Sequence, residues 1–189
     1  MAAVICDLDG LLVDSEELHF RAYRTMLEEY GVTITRRNFV EAWLSETPRD
    51  KYGTRYYLGQ KGITDEAEIQ AARHKKSDLF CEMARGKLKF MPGAREFLAE
   101  VKARGLPCCV GTGCYKIEYE LMAKECGLGE WVQAFVGGDE VAHNKPYPDI
   151  FLAVASQLGI SPEQCVVFEN TDVGVSAARN ANMKCIVVP

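Results

Sequence analysis

Two aspartates, Asp7 and Asp9, follow an apolar run at residues 3–6, and Gly10 comes directly after them. Residues two apart face the same side of an extended backbone, and a glycine permits the chain to turn sharply. One carboxylate of such a pair can attack as a nucleophile while its neighbour transfers a proton, and both can bind a hard cation through oxygen. An isolated Asp-x-Asp more often closes a loop or caps a helix, so this chemistry needs support from the rest of the chain.

Two further groups of residues could hold a phosphoryl group. Thr112 and Gly113 follow the apolar run at 107–110, where a hydroxyl and loop amides can bind phosphate oxygens, although a simple turn is the better explanation when they are considered alone. Lys145 lies in the segment Asn144-Lys145-Pro146-Tyr147-Pro148-Asp149, which opens a helix. Its ammonium could neutralise a phosphate and an aspartate together, and a solvated lysine is the alternative.

A fourth group, Glu169 and Asn170, ends the apolar run at 165–168 and precedes a helix. Acidic groups at such a place can complete a magnesium site, and they can equally well cap the helix.

The spacing of apolar residues predicts an α/β fold. Short apolar runs that barely alternate with polar residues are typical of strands covered on both faces, and here they are separated by amphipathic segments. We predict a doubly wound parallel sheet with helices on both sides. The expected strands are 3–6, 107–110, 134–136, 165–168 and 185–188, and the expected helices between them are 94–104, 115–126, 148–158 and 173–182.

The first strand is followed by about seventy residues that look helical throughout. Asp14 with Glu17 fits a capping box for a helix that ends at Gly31, and further helices are expected at 36–44, 48–58 and 65–84. We therefore expect an α/β catalytic core made of residues 1–14 and 88–189, with a helical cap at 15–87 inserted into it.

The four polar groups support one another because each follows a predicted buried strand. Parallel strands bring their carboxyl ends to one edge of the sheet, which is where ligands of open α/β sheets bind. Asp7, Asp9 and Glu169 would need a cation there, and Lys145 with Mg²⁺ would offset both these acids and an incoming phosphate. The arrangement indicates a magnesium-dependent phosphoryl-transfer enzyme with Asp7 as its nucleophile.

Composition excludes several other classes of protein. The chain has 189 residues, a formal net charge of −5 and 48% hydrophobic residues, so it lacks the basic footprint of a nucleic-acid-binding protein. No apolar stretch approaches the roughly 20 residues of a membrane span. Eight cysteines without a Cys-x-x-Cys pattern favour reduced thiols in a cytoplasmic protein over a disulfide framework or a zinc site.

The chain resembles the haloacid dehalogenase superfamily over nearly its whole length. The pattern Asp-x-Asp-Gly-x-Leu-x-Asp-Ser at 7–15, followed by Glu-Leu-His-Phe-Arg-Ala, is most similar to the β-phosphoglucomutase-like branch, which also contains many phosphatases of small molecules. The resemblance implies a Rossmann-like core with an inserted helical cap. It implies that Asp7 forms an aspartyl-phosphate, that Asp9 is the general acid and base, and that Thr112 and Lys145 bind the transferring phosphoryl group. Mg²⁺ would be organised by Asp7, the backbone carbonyl of Asp9, Glu169 and Asn170.

One residue departs from the family pattern. The fourth group usually pairs two acids, whereas this chain has Glu169-Asn170. An asparagine still offers a carbonyl oxygen but removes one negative charge, so we expect weaker magnesium binding unless Asp172 or Asp139 compensates.

The cap is expected to act as a lid that excludes water and recognises the substrate beyond its phosphate. Candidate residues are Arg49 and either Lys75 or Lys76, and His19 could tune Asp9 or simply pack. Ser45-Glu46-Thr47, where the sugar mutases of the branch carry a glycine, and Asp14-Ser15, where they often have Asp-Thr, favour a phosphatase of a sugar or polyol phosphate. The alternatives are a sugar phosphomutase and a binding protein with a weakened metal site. The resemblance implies a monomer.

Overall fold

In the part of the chain that the structure describes, five parallel strands form one sheet, as predicted. The structure is a computed structural model that describes residues 1–45 and 53–188. Its strands are β1 (Ala3–Cys6), β2 (Cys108–Gly111), β3 (Ala134–Val136), β4 (Cys165–Glu169) and β5 (Lys184–Val187). Their spatial order is β3-β2-β1-β4-β5, and every neighbouring pair is parallel. The chain therefore winds outward from β1 in both directions, which makes β1 the central strand of a doubly wound sheet.

Helices occur in every segment that the periodicity assigned to them, although residues 48–52 of one such segment lie outside the described residues. The segment at 36–44 begins as an α-helix and continues as the π-helical turn Val40–Leu44. The α-helices are α1 (Glu16–Glu29), α2 (Arg36–Phe39), α3 (Gly53–Gly59), α4 (Glu66–Ala84), α5 (Ala94–Ala103), α6 (Lys116–Cys126), α7 (Asp149–Leu158) and α8 (Asp172–Asn180).

The predicted start of the first helix needs a correction. Helix α1 begins at Glu16, and the carboxylate of Asp14, which the capping box assigned to the helix, lies 3.2 Å from Lys89 Nζ instead. Ser15 directly precedes the helix, and its hydroxyl is bonded to Asp9. Asp14 therefore lies one residue too early in the chain to be the N-cap of this helix.

Apolar side chains of the sheet pack against helices α7 and α8. Ile5 in the central strand, Cys109 and Val167 in its neighbours, and Phe151 of α7 are all fully buried in this cluster. Strand β1 is buried along its whole length, which explains why its sequence does not alternate. All eight cysteines are free, and six of them are buried. In the described part of the chain, no helix is both long and apolar enough to cross a bilayer.

The chain packs as two compact units. One consists of Met1–Ser15 together with the chain from Gly86 onward, and it contains the sheet. The other is Glu16–Arg85, in which α1 packs on α4 and an apolar core forms around residues such as Leu27, Leu58 and Ile69.

Candidate active site

A tight turn directly after β1 presents the two aspartates. The backbone N–H of Asp7 donates to Phe168 O at 3.0 Å, which continues the pairing of β1 with β4. The carbonyl of Leu8 then accepts hydrogen bonds from the N–H groups of Leu12 (2.9 Å) and Val13 (3.0 Å). Gly10 has a φ of +76°, a left-handed conformation that a side chain would disfavour. The chain therefore reverses within a few residues and leaves both aspartates at the carboxyl edge of the sheet.

The ammonium of Lys145 bridges two carboxylates at this edge. Its Nζ donates to Asp7 Oδ1 and to Glu169 Oε1, both at 2.6 Å. Lys145 is only 6% exposed, Asp7 5% and Glu169 0%, so the three charges are shielded from water. Ion pairs buried in this way are stable only when each charge keeps its partners. The strand topology thus joins residues that are 138 positions apart in sequence.

Glu169 is held by the start of α8 as well as by Lys145. Its Oε2 accepts hydrogen bonds from the N–H groups of Asn170 and Thr171 and from the hydroxyl of Thr171, each at 2.9 Å. A helix N-terminus stabilises negative charge, because its N–H groups point towards it. Both oxygens of Glu169 therefore have protein partners, and this geometry suits an anchor for Lys145 better than a direct metal ligand.

Asp9 is held by two hydroxyl groups. Ser15 Oγ donates to its Oδ1 at 2.6 Å, and Thr112 Oγ1 donates to its Oδ2 at 3.0 Å. Thr112 is 1% exposed, and its N–H donates to Val136 O at 3.1 Å, which fixes the start of the loop after β2. Asp7, Asp9, Thr112 and Lys145 therefore form two contacting pairs, Asp7 with Lys145 and Asp9 with Thr112, along one sheet edge.

Burial and charge change the acidity of these groups. Burial raises the pKa of Asp7 to about 8; the charges of Glu169 and Asp9 add to this rise, and Lys145 opposes it. Burial disfavours the ammonium of Lys145, but the adjacent carboxylates of Asp7 and Glu169 outweigh it and raise the pKa of Lys145 above its ordinary value. The lysine stays charged near neutral pH, whereas Asp7 binds a proton unless another cation approaches.

Oxygen atoms suited to a hard cation lie around Asp9 and Asn170. Asn170 Nδ2 is 3.5 Å from the backbone carbonyl of Asp9, which is long for a hydrogen bond, and its Oδ1 is buried. Within residues 1–45 and 53–188 no three acidic, histidine or cysteine side chains form a metal-binding group. A cation would therefore need this carbonyl and amide in addition to the carboxylate of Asp7, and such an all-oxygen set fits Mg²⁺. Of the two acids that could compensate for Asn170, Asp139 accepts a hydrogen bond at Oδ1 from Lys116 N at 3.0 Å.

The remaining predicted substrate residues occupy different places. Gly113 directly follows Thr112, and its carbonyl accepts from Asn144. His19 and Lys76 are neighbours in the helical unit, with Lys76 Nζ 2.7 Å from His19 Nδ1 and the His19 ring stacked on Phe80 at 4.0 Å. Lys75 is paired with Glu29. Arg49 lies outside the described residues.

Sequence reasoning did not single out three residues that shape the site. Ser15 holds Asp9, Thr171 holds Glu169, and Gly174 lets the start of α8 approach Glu169 closely. Thr171 carried a local signal, because a threonine before a helix is a common N-cap, and its hydroxyl does accept from Gly174 N at 3.2 Å. The other two act through contacts that spacing alone does not reveal.

The fold and the site define an α/β enzyme whose charged centre lies beyond the central strands of a parallel sheet. The family model of haloacid dehalogenase-like hydrolases matches residues 1–182, and the chain belongs to this family. This match confirms the resemblance predicted from the sequence. The relatives of the chain include enzymes named as phosphatases.

Three similar proteins illustrate the range of the family. A phosphorylated carbohydrates phosphatase of Thermotoga maritima is 34% identical over 98% of this chain and 84% of its own length. The crystal structure of CbbY from Rhodobacter sphaeroides in complex with phosphate has a TM-score of 0.81 at 26% identity, covering 100% of this chain and 86% of that one. The Arabidopsis thaliana protein SUPPRESSOR OF QUENCHING 1, chloroplastic, is 34% identical over 100% of this chain, which spans only 18% of that relative.

Replacing Gly174 with alanine should destabilise the fold. A Cβ at this position would overlap the carboxylate of Glu169, which cannot move aside without losing its bonds to Lys145 and Thr171. We expect the free energy of unfolding to fall by about 2–3 kcal/mol, measured by urea denaturation. The matched control is Gly129→Ala, because no atom lies within 4 Å of its added Cβ. Equal stability of the two variants would contradict the close approach of α8 to Glu169.

Proposed function

We propose that this chain is a magnesium-dependent phosphatase that hydrolyses a small phosphorylated metabolite, a sugar or polyol phosphate, through an aspartyl-phosphate on Asp7. The observation that carries the proposal is the buried bridge of Lys145 between Asp7 and Glu169, adjacent along the sheet edge to the pair of Asp9 and Thr112. A relative named as a phosphorylated carbohydrates phosphatase supports the substrate class.

Asp7 is suited to be the nucleophile because its second oxygen is left for attack. Lys145 engages Oδ1 at 2.6 Å and so fixes the orientation of the carboxylate. Attack of the other oxygen on phosphorus would form the acyl phosphate and expel the alcohol of the substrate. Lys145, held in place by Glu169, would offset charge on the phosphoryl group as it moves towards Asp7.

Asp9 is suited to move the proton. As an acid it would protonate the departing alcohol oxygen, and as a base it would then take a proton from the water that hydrolyses the acyl phosphate. The hydroxyls of Ser15 and Thr112 hold its two oxygens, at 2.6 and 3.0 Å. Thr112 would also exchange its bond to Asp9 for one to a phosphate oxygen when the substrate binds.

Magnesium would be held by the carboxylate of Asp7, the carbonyl of Asp9 and the side-chain oxygen of Asn170. When bound, the ion supplies positive charge that reduces the repulsion between an anionic nucleophile and an anionic phosphate. Glu169 would contribute through Lys145, since its own oxygens are engaged. Phosphatases of this family are generally magnesium-dependent.

The helical unit would select the group attached to the phosphate, with Lys76 and Arg49 as candidate contacts for an anionic or hydroxyl-rich substrate. Lys76 is 4% exposed and lies 2.7 Å from His19 Nδ1, so its ammonium is oriented rather than freely solvated. A phosphomutase would use the same chemistry but return the phosphoryl group to a sugar hydroxyl.

A panel of sugar and polyol phosphates tests the proposed reaction. Incubation with Mg²⁺ should release inorganic phosphate from at least one of them, and Asp7→Asn should lower kcat by at least about 10⁴-fold because the variant lacks the nucleophile. Free phosphate and isomerised sugar phosphate are measured in the same samples. Isomerisation without phosphate release would establish the mutase instead. A wild-type protein that binds phosphate but turns over nothing would support the binding-protein alternative.

Magnesium affinity should depend on pH through Asp7. Its pKa of about 8 means that the metal-free site carries a proton at neutral pH, and the ion must displace it. We expect the association constant to rise about tenfold per pH unit between roughly pH 6 and 8 and then to level off. Isothermal titration calorimetry in buffers of different ionisation enthalpy measures both the affinity and the proton release. A flat profile in the wild type, or an equally steep one in Asp7→Asn, would refute this assignment.

Restoring an acid at position 170 should strengthen magnesium binding. Asn170→Asp adds one negative charge beside the carbonyl of Asp9, so the magnesium concentration for half-maximal activity should fall about tenfold. The matched control is Asn180→Asp, a change of the same charge at an exposed residue whose amide donates to Pro146 O. The proposed ligand role of Asn170 fails if both variants shift the magnesium requirement alike or neither does.

A further inference from the structure

The side chain of Asn144 joins the two loops that carry Thr112 and Lys145. Its Nδ2 donates to the carbonyl of Gly113 at 3.0 Å, and its Oδ1 accepts from the N–H of Lys145 at 2.7 Å. An asparagine amide can serve as donor and acceptor at once, so a single side chain satisfies both loops. Asn144 is exposed as a residue, although both ends of its amide group are hydrogen-bonded.

Two glycines make room for this amide. A Cβ at Gly113 would lie 3.1 Å from Asn144 Oδ1 and 3.3 Å from its Nδ2, closer than ordinary packing allows. A Cβ at Gly138, on the loop after β3, would overlap both the amide of Asn144 and the carbonyl of Gly113. The amide of Asn144 is therefore in close contact with the backbone at both glycines, in addition to its hydrogen bonds.

The hydrogen bond from Asn144 to the carbonyl of Gly113 also restricts the orientation of Thr112. The carbonyl of Gly113 and the N–H of Cys114 belong to one planar peptide unit, so fixing one end fixes the other. At the other end, Cys114 N–H donates to Thr112 Oγ1 at 3.2 Å. With that lone pair occupied, the hydroxyl of Thr112 is directed to donate to Asp9, 3.0 Å away. A second bond, from Gly138 N to Cys114 O at 2.8 Å, holds the same loop.

We propose that Asn144 is a positioning residue that sets the phosphate affinity of the site by orienting the Thr112 hydroxyl and the Lys145 backbone together. The inference rests on the proposed function. Asn144 reaches the two aspartates by two series of contacts, which we call branches. The first runs through the Gly113–Cys114 peptide and the hydroxyl of Thr112 to Asp9. The second runs through Lys145 to Asp7. Asn144 touches no reacting atom itself.

Two substitutions remove the hydrogen bond to Gly113, and one of them also removes the acceptor for Lys145 N. Asn144→Asp keeps an acceptor for Lys145 N but loses the donor to Gly113, whereas Asn144→Ala loses both. We expect the inhibition constant for inorganic phosphate and the KM to rise about five- to tenfold in both variants, with kcat changed less than threefold and the thermal midpoint unchanged. The control Asn180→Ala removes a bond to the same loop, at Pro146 O, and should leave these constants within twofold of wild type.

A double-mutant cycle with Thr112→Val tests whether Asn144 affects phosphate binding through the hydroxyl of Thr112. If Asn144 acts through the hydroxyl of Thr112, Asn144→Asp should weaken phosphate binding less than twofold once that hydroxyl is gone. Full additivity of the two substitutions overturns the route, and so does an Asn144→Asp variant with wild-type phosphate constants.

Amide hydrogen exchange followed by NMR provides a readout that needs no turnover. The Cys114 N–H should exchange at least about tenfold faster in both Asn144 variants than in the wild type or in Asn180→Ala, because its peptide loses its anchor. Unchanged exchange overturns the inference even if the enzyme is active. Faster exchange in the Asn144 variants, together with a wild-type protein that hydrolyses no phosphate ester and binds no phosphate, would instead identify the proposed function as the part that fails.

Discussion

The buried ammonium of Lys145, placed between the carboxylates of Asp7 and Glu169 at 2.6 Å from each, is the interaction on which the rest of the site depends. Charges removed from water are costly unless each is bonded, and a missing partner leaves the others uncompensated. The start of α8 meets this requirement by giving three hydrogen bonds to the far oxygen of Glu169. Gly174 allows that close approach because it has no side chain.

If the site acts on phosphate as proposed, its electrostatic balance requires more positive charge than this lysine supplies. Three carboxylates, those of Asp7, Asp9 and Glu169, face one ammonium at this edge of the sheet, and an incoming phosphate would add further negative charge. Burial is the main cause of the raised pKa of Asp7, and the charges of Glu169 and Asp9 add to it. A divalent cation would relieve the excess of negative charge better than a proton, because it would leave Asp7 ionised for attack. In the proposed site, Asn170 in place of an acid would lower the repulsion felt by a phosphate and would also weaken the binding of the cation.

The strands and the meeting of Asp7 with Lys145 could be predicted from the sequence, because fully buried parallel strands leave near-continuous apolar runs and their carboxyl ends share one edge. The assignment of individual oxygen atoms could not be predicted. Asp14 fits a helix cap by spacing, but the helix begins one residue later than that cap requires, at Glu16, and the carboxylate of Asp14 lies near Lys89. Glu169 is a residue type that binds metal ions, but one of its oxygens accepts hydrogen bonds from the N–H groups of Asn170 and Thr171, just before α8. Spacing determines which residues reach the edge, whereas long-range hydrogen bonds determine which way each one points.

Orientation of this kind has to be built into the resting protein if the site is to act on phosphate, because groups that must reorganise during the reaction contribute less to it. Glu169 fixes Lys145 from the side of β4, and Asn144 fixes the same residue's backbone together with the peptide that holds Thr112. The two hydroxyls on Asp9 complete the arrangement. These supports come from the carboxyl ends of four different strands or from the loops directly after them, so the precision of the site depends on the sheet that positions them.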